Sequence, residues 1–276
     1  MRRFPTSDGL SLAYTDEGDG LPLLCLPGLT RNGADFDELA AALNGRHRLI
    51  RLTLRGRGAS DRDPNPTNYN VGIEARDVIE LLDHLALPRV TIIGTSRGGL
   101  IAMVLAAAAH DRLAGVLLND IGPELAPEGL ANILTYLGVP PKARTYAEVI
   151  GPLRTRMTAF PGLSDAKLMS LARRWFDQGE GEPLLNYDPA IRANIEATAG
   201  QPAADMWPLF DALAGIPLAV VRGANSDLLA PETVAKMRER RPDLIVAEVP
   251  DRGHVPFLDE PEALAALDAL LAGVEG

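Results

Sequence analysis

The chain has 276 residues, 46% hydrophobic and 23% charged, a composition that supports a large packed core and excludes the disordered and fibrous classes. Lys and Arg number 27 against 37 Asp and Glu, a formal charge of -10, so no basic face is expected for nucleic acid or an anionic membrane. Cys25 is the only cysteine, which excludes an intrachain disulfide and a cysteine-built zinc site and suits a reducing compartment.

Behind Met1-Arg2-Arg3 the chain reads Phe4-Pro5-Thr6-Ser7-Asp8, without the apolar core of a signal peptide, and a cytoplasmic protein is expected. Short β-rich runs predict strands over Leu10–Thr15, Leu21–Leu26, Leu49–Leu54, Val90–Gly94, Gly115–Asn119, Ile216–Val221 and Leu244–Val249. Helical spacing of Val78, Leu81, Leu82 and Leu85 falls between two of them. It returns in Leu264, Leu267 and Leu271, where Pro261 suits a first turn. The longest apolar stretch, Leu100–Ala109, is shorter than the roughly 20 residues that cross a bilayer and reads as a buried helix. Strands alternating with helices in this way predict a mostly parallel sheet covered on both faces.

Between Gly122 and Ala212 the strand signals stop. Helical patterns occupy Leu130–Leu137, Tyr146–Met157 and Leu168–Phe176, separated by Pro140-Pro141, Pro161-Gly162 and Gly179-Glu180-Gly181. The expected organisation is a sheet domain built from residues 1–121 and 213–276, with residues 122–212 inserted as a helical cap.

Chemistry concentrates where Val90-Thr91-Ile92-Ile93 runs into Gly94-Thr95-Ser96-Arg97-Gly98-Gly99 and then into the apolar helix. A strand that reverses this sharply into a helix needs glycines on both sides of its apex and leaves the apical hydroxyl exposed at a helix N-terminus. Ser96 is therefore the candidate nucleophile. It requires a base, and the chain offers four histidines. His47 enters a strand between Arg46 and Arg48, His84 belongs to an amphipathic helix, and His110 ends the helix after Ser96, where a cation suits the dipole. His254 follows the last strand in Asp251-Arg252-Gly253-His254-Val255-Pro256, where a loop at the carboxyl end of the sheet reaches the nucleophile. The orienting acid has two candidates, Asp227 in the loop after the strand Ile216–Val221 and Asp120 after Gly115–Asn119. Asp227 is the favoured one, and Asp120 reads as an anchor at the start of the cap.

These residues resemble the α/β-hydrolase superfamily, in its cap-bearing branch of small esterases, enol-lactonases and carbon-carbon bond hydrolases. The resemblance covers nearly the whole chain through the turn Gly94 to Gly98, Pro27-Gly28-Leu29, Arg55-Gly56-Arg57-Gly58-Ala59-Ser60-Asp61, the loop ending in Asp227, and Gly253-His254-Val255-Pro256 with Glu260-Pro261-Glu262 behind it. Pro27-Gly28 stands where such proteins often have His-Gly, and Thr53 where an Asp often precedes the Arg-Gly segment. The resemblance implies that the backbone N–H groups of Leu29 and Arg97 form the oxyanion hole, with Thr30 as an alternative donor. It also implies hydrolysis of a small ester or lactone through an acyl-enzyme on Ser96, without metal or cofactor, on a small-molecule acyl substrate. Haloalkane dehalogenases and epoxide hydrolases of the same fold use Asp at the position of Ser96. Cleavage of a carbon-carbon bond beside a ketone is a second reading, and a ligand-binding sensor on the same fold a third. The Arg97 guanidinium has two readings, a hold on a substrate carboxylate or an ion pair with Asp120 or Asp227. Tyr136, Trp175, Trp207 and Phe210 are candidates for lining an acyl pocket or for core.

Overall fold

A computed structural model describes residues 1–178, 182–198 and 204–275. In chain order the elements are β1 (Arg2–Pro5), β2 (Ser11–Glu17), β3 (Pro22–Leu26), α1 (Asp37–Leu43), β4 (Arg48–Leu52), α2 (Val71–His84), β5 (Val90–Thr95), α3 (Arg97–Ala108) and β6 (Leu113–Asn119). The intervening segment supplies α4 (Pro127–Tyr136), α5 (Tyr146–Arg156), α6 (Asp165–Trp175), β7 (Phe176–Gln178), β8 (Pro183–Leu185) and α7 (Ile191–Thr198). The chain then gives α8 (Trp207–Asp211), β9 (Leu218–Gly223), α9 (Pro231–Arg240), β10 (Ile245–Val249) and α10 (Pro261–Glu275).

Eight strands form one sheet in the order β1-β2-β4-β3-β5-β6-β9-β10. The pairs from β4 through β10 are parallel, and β1 and β2 are antiparallel at one edge. This is the α/β-hydrolase arrangement, a mostly parallel sheet between helical layers. Alternation along the strands divides the core in two, as period-two geometry requires. Leu24, Ile92, Leu118 and Val220 point to the layer made by α2, α3, α8 and α9, whereas Leu23, Ile93, Leu117 and Ala219 face α1 and α10. Strand order reverses between β3 and β5, because β4 lies on the far side of β3. Such a reversal opens a crevice at the carboxyl ends of the two strands, where the Pro27-Gly28-Leu29 turn and Ser96 emerge side by side.

All seven expected strands are present, with no end moved by more than two residues. Strand β1 was not expected: two arginines and Pro5 mask an edge strand whose buried contribution is Phe4 alone. The 122–212 segment, expected to be helical, also contains the antiparallel pair β7–β8. Helices α5 and α6 share a small core of their own around Val149, Leu153, Leu168 and Ala172. Helix α8, which the sequence reading assigns to the cap, packs Phe210 into the main core beside α3. The Gly179-Glu180-Gly181 turn lies outside the described residues. Among the described residues, no helix is long and apolar enough to cross a membrane.

Candidate active site

Ser96 stands between β5 and α3 with φ 51° and ψ −113°, a backbone conformation rarely adopted by a residue with a side chain. The turn is tight enough to dictate its glycines. A Cβ on Gly98 would lie 2.0 Å from the Leu26 carbonyl oxygen, and one on Gly94 would lie 2.7 Å from the Gly98 carbonyl carbon. The Ser96 N–H donates to the Asn119 carbonyl at 3.0 Å, which ties the turn to neighbouring β6.

His254, in the loop after β10, brings its Nε2 within 2.9 Å of Ser96 Oγ and its Nδ1 within 2.7 Å of Asp120 Oδ2. Asp120 follows β6 directly and is fully buried. Its Oδ1 accepts from the Gly223 N–H at 2.8 Å and its Oδ2 accepts from the Ser226 hydroxyl at 2.6 Å. An ionised carboxylate can only accept hydrogen bonds, so the Asp120 contact selects the imidazole tautomer with hydrogen on Nδ1 and a lone pair on Nε2 facing Ser96.

The expectation for Asp227 is corrected here. Its carboxylate does not face His254; it accepts from Asn132 Nδ2 at 2.9 Å and borders a wider outer cavity. The reason is topological. Strand β6 adjoins β5, so the residue leaving β6 stands beside the nucleophile, whereas the loop after β9 is one strand further out. That loop supports Asp120 instead, through the Gly223 N–H and Ser226 Oγ. Both residues follow a strand in the sequence, and the adjacency of β6 to β5 that separates them belongs to the sheet.

Leu29 and Thr30 line a cavity of about 90 Å³ together with Ser96 and His254. Arg97 is the first residue of α3, so its N–H belongs to the helix end that lacks intrahelical partners. Its side chain turns away from the cavity. Arg97 Nε donates to Glu74 Oε2 at 2.6 Å and Nη2 to the Tyr69 carbonyl at 2.8 Å, so its acid partner is Glu74, not Asp120 or Asp227. Glu74 is fully buried and also receives Arg57 Nη1 at 2.7 Å. Burial raises the Glu74 carboxyl, but the Arg97 and Arg57 guanidiniums outweigh it and hold the group below the usual carboxylate value.

Tyr136 and Trp175 line the cavity, as two of the four candidate aromatics. Trp207 donates to Glu124 Oε1 at 2.8 Å and Phe210 is core. Met157, at the end of an expected helical pattern, also faces the cavity, as do Phe160 and Arg31, which carry no periodic signal in the sequence. Trp175 Nε1 donates to Asp35 Oδ1 at 2.9 Å, and burial pushes the Asp35 carboxyl above its ordinary value. The outer cavity, about 700 Å³, continues from the inner one along Thr30, Arg31, Ile133, Tyr136, Met157 and Phe160. Elsewhere, His84 packs beside the Phe4 and Tyr14 rings, and His110 Nε2 lies 3.0 Å from the Ala214 carbonyl oxygen. Among the described residues, no three His, Cys, Asp or Glu side chains group as metal ligands.

A parallel sheet with a serine at the strand-to-helix turn, a histidine on it and a buried aspartate behind defines a hydrolase of the α/β type. The chain belongs to the alpha/beta hydrolase family, whose model matches residues 23–267. It is similar to the crystal structure of an alpha/beta hydrolase from Novosphingobium aromaticivorans, with 42% identity and a TM-score of 0.92 over 99% of this chain and 97% of that one. The 3-hydroxybutyrate-oligomer hydrolase of Cupriavidus necator is 36% identical over 95% of this chain and 93% of the relative. The 2-(acetamidomethylene)succinate hydrolase of Mesorhizobium japonicum is 26% identical over 89% and 85%.

Proposed function

We propose that the protein is a serine hydrolase that cleaves a small carboxylic ester, open-chain or lactone, through an acyl-enzyme on Ser96. The observation that carries this reading is the continuous chain from Ser96 Oγ through His254 to Asp120, at 2.9 and 2.7 Å. Ser96 Oγ attacks the ester carbonyl carbon while His254 Nε2 takes its proton, and Asp120 holds the imidazolium through the hydrogen on Nδ1. The oxyanion of the tetrahedral intermediate is held by the N–H groups of Leu29 and Arg97, the second reinforced by the N-terminus of α3. Collapse breaks the bond to the alkoxide oxygen, which leaves with the proton from His254. Water then adds to the acyl-enzyme, giving its proton to His254, and a second collapse releases the carboxylic acid and returns the proton to Ser96.

The segment between β6 and β9 acts as the cap over this site, since Tyr136, Met157, Phe160, Leu171 and Trp175 all come from it. Similarity to a hydrolase of 3-hydroxybutyrate oligomers over nearly the whole of both chains supports esters of short hydroxy acids as the substrate class. The lone thiol of Cys25, buried and pushed well up by that burial, fits a cytoplasmic protein.

The test is fluorophosphonate labelling of the purified protein followed by turnover of short aryl esters, lactones and hydroxy-acid oligoesters. Wild type is expected to label and to hydrolyse at least one class, and Ser96→Ala to lose both while keeping its melting temperature. Turnover retained by Ser96→Ala would sink the mechanism.

A further inference from the structure

We propose that Arg31 and Arg156 form an anion subsite in the outer cavity that holds a free carboxylate of the substrate, so that the preferred esters carry one. The proposal rests on the serine-hydrolase reading of Ser96 and adds the charge of the substrate and the residues that select it.

The molecule is acidic overall, with 37 carboxylate residues against 27 basic ones. The outer cavity departs from that balance. Among the described residues its charged lining consists of Arg31, Lys142 and Arg156 against Asp227 alone. Asp227 is already engaged by Asn132. Other arginines near the site are committed to acids: Arg174 to Glu38, Arg97 and Arg57 to Glu74, and Arg252 to Glu260. The two in question are freer. Among the described residues Arg31 has one ion pair, with Asp35 Oδ2 at 3.7 Å, beyond direct hydrogen-bond length, while Asp35 Oδ1 accepts from Trp175. Arg156, in the last turn of α5, forms no ion pair or side-chain hydrogen bond among the described residues.

Both guanidiniums are nonetheless held in place by rings. Arg31 lies over Trp175 with 3.5 Å from its central carbon to the ring centroid, and Arg156 lies over Tyr136 at 4.6 Å. Stacking fixes the plane of a guanidinium and leaves its N–H edge free for a planar two-oxygen acceptor. The two cations also feel each other, since burial first and then the charge of Arg31 hold the Arg156 guanidinium below its ordinary value. An anion between them relieves both costs. Its position relative to the chemistry follows from the lining. Arg31 borders the inner cavity with Ser96 and also the outer one with Arg156, so a substrate with its carbonyl at Ser96 reaches the pair along one wall. The carboxylate hold that the sequence suggested for the Arg97 side chain belongs to these two residues.

The experiment compares a linear dimer of a short 3-hydroxy acid, bearing its free carboxylate, with the methyl ester of the same dimer. Wild type is expected to prefer the acid by about tenfold or more in kcat/KM, expressed in KM. Arg156→Gln is expected to remove most of that preference by raising KM for the acid with little change in kcat, and Arg156→Lys to restore part of it. Equal hydrolysis of acid and methyl ester by wild type, or equal losses on both in Arg156→Gln, overturns the proposal and leaves the hydrolase reading standing. If neither dimer turns over and Ser96 does not label, the hydrolase reading fails, and binding of the acid dimer to the Trp207→Phe protein, whose one tryptophan is Trp175, followed by fluorescence decides the subsite. Quenching that Arg156→Gln weakens about tenfold supports the subsite, and quenching that is absent or unchanged in the variant overturns it.

Discussion

Ser226 donates its hydroxyl to the same Asp120 oxygen that faces His254, at 2.6 Å, while its neighbour Asp227 turns outward to Asn132. Two consecutive residues of one loop thus have separate duties: one fixes the acid behind the histidine, the other borders the outer cavity.

The first prediction concerns these two aspartates. An amide at position 120 can donate where the carboxylate only accepts, and it stabilises the tautomer that presents N–H to Ser96. Asp120→Asn is expected to lose on the order of 10³ to 10⁴ in kcat with little change in KM, and Asp227→Asn about tenfold or less. Steady-state kinetics on both variants, with folding followed by circular dichroism, checks the ranking. A larger loss for Asp227→Asn would return the orienting role to that residue.

Much of this arrangement was legible in the sequence because it depends on local chain geometry. The turn at Ser96 announces itself through glycines whose absent side chains leave room for Leu26 and for the turn's own backbone. The seven strands were readable from β-rich runs, and His254 from its place after the last of them. The choice between Asp120 and Asp227 was not readable, because both follow strands and only the lateral order of the sheet separates them. Pairing of β6 with β5 is a long-range contact that leaves no mark on spacing. Arg31 and Arg156 were invisible for the same reason, lying far apart in the chain and meeting only through the packing of the intervening segment.

A second prediction follows from Glu74, which takes Arg57 on one oxygen and Arg97 on the other in the dry interior. Removing its charge leaves two buried guanidiniums facing each other without compensation. Glu74→Gln is expected to cost about 3 to 5 kcal/mol in stability, the usual result of breaking a buried pair from one side. Because Arg97 adjoins Ser96, the variant is also expected to lose kcat at temperatures where it stays folded. Urea unfolding and kinetics on the same preparation measure both, and a stability change under about 1 kcal/mol would mean that the network contributes little.

A third prediction addresses the segment over the site. Phe160 is buried against Phe257, with ring centroids 5.6 Å apart, and it lines the cavity around Ser96. Phe160→Ala is expected to raise KM for the preferred ester several-fold while changing the rate of labelling by a small fluorophosphonate by less than about twofold. Losses of equal size on both reagents would assign Phe160 to support of the catalytic turn.

The last prediction links pH to the attachment of that segment. Glu38 lies on α1 of the sheet domain, and its Oε1 accepts from Arg174 Nη2 at 2.7 Å and Lys167 Nζ at 2.5 Å, both on α6. Burial acts to raise the Glu38 carboxyl, but the hydrogen bonds from Arg174 and Lys167 prevail and hold it below its ordinary value. A carboxylate whose folded value is depressed stabilises fully above its unfolded value, about 4.3, and loses that contribution as pH falls through the folded value below it. Glu38→Gln lacks the charge at every pH. At pH 7 the variant is therefore expected to be less stable by on the order of 1 kcal/mol, about 2 °C in melting temperature for a chain of this size. The difference should shrink once the pH falls below roughly 4, where wild type is itself protonated. Thermal melts of both proteins across pH 3 to 8 test this. Curves that run parallel down to the lowest pH would show that the Glu38 contact with α6 does not depend on its charge.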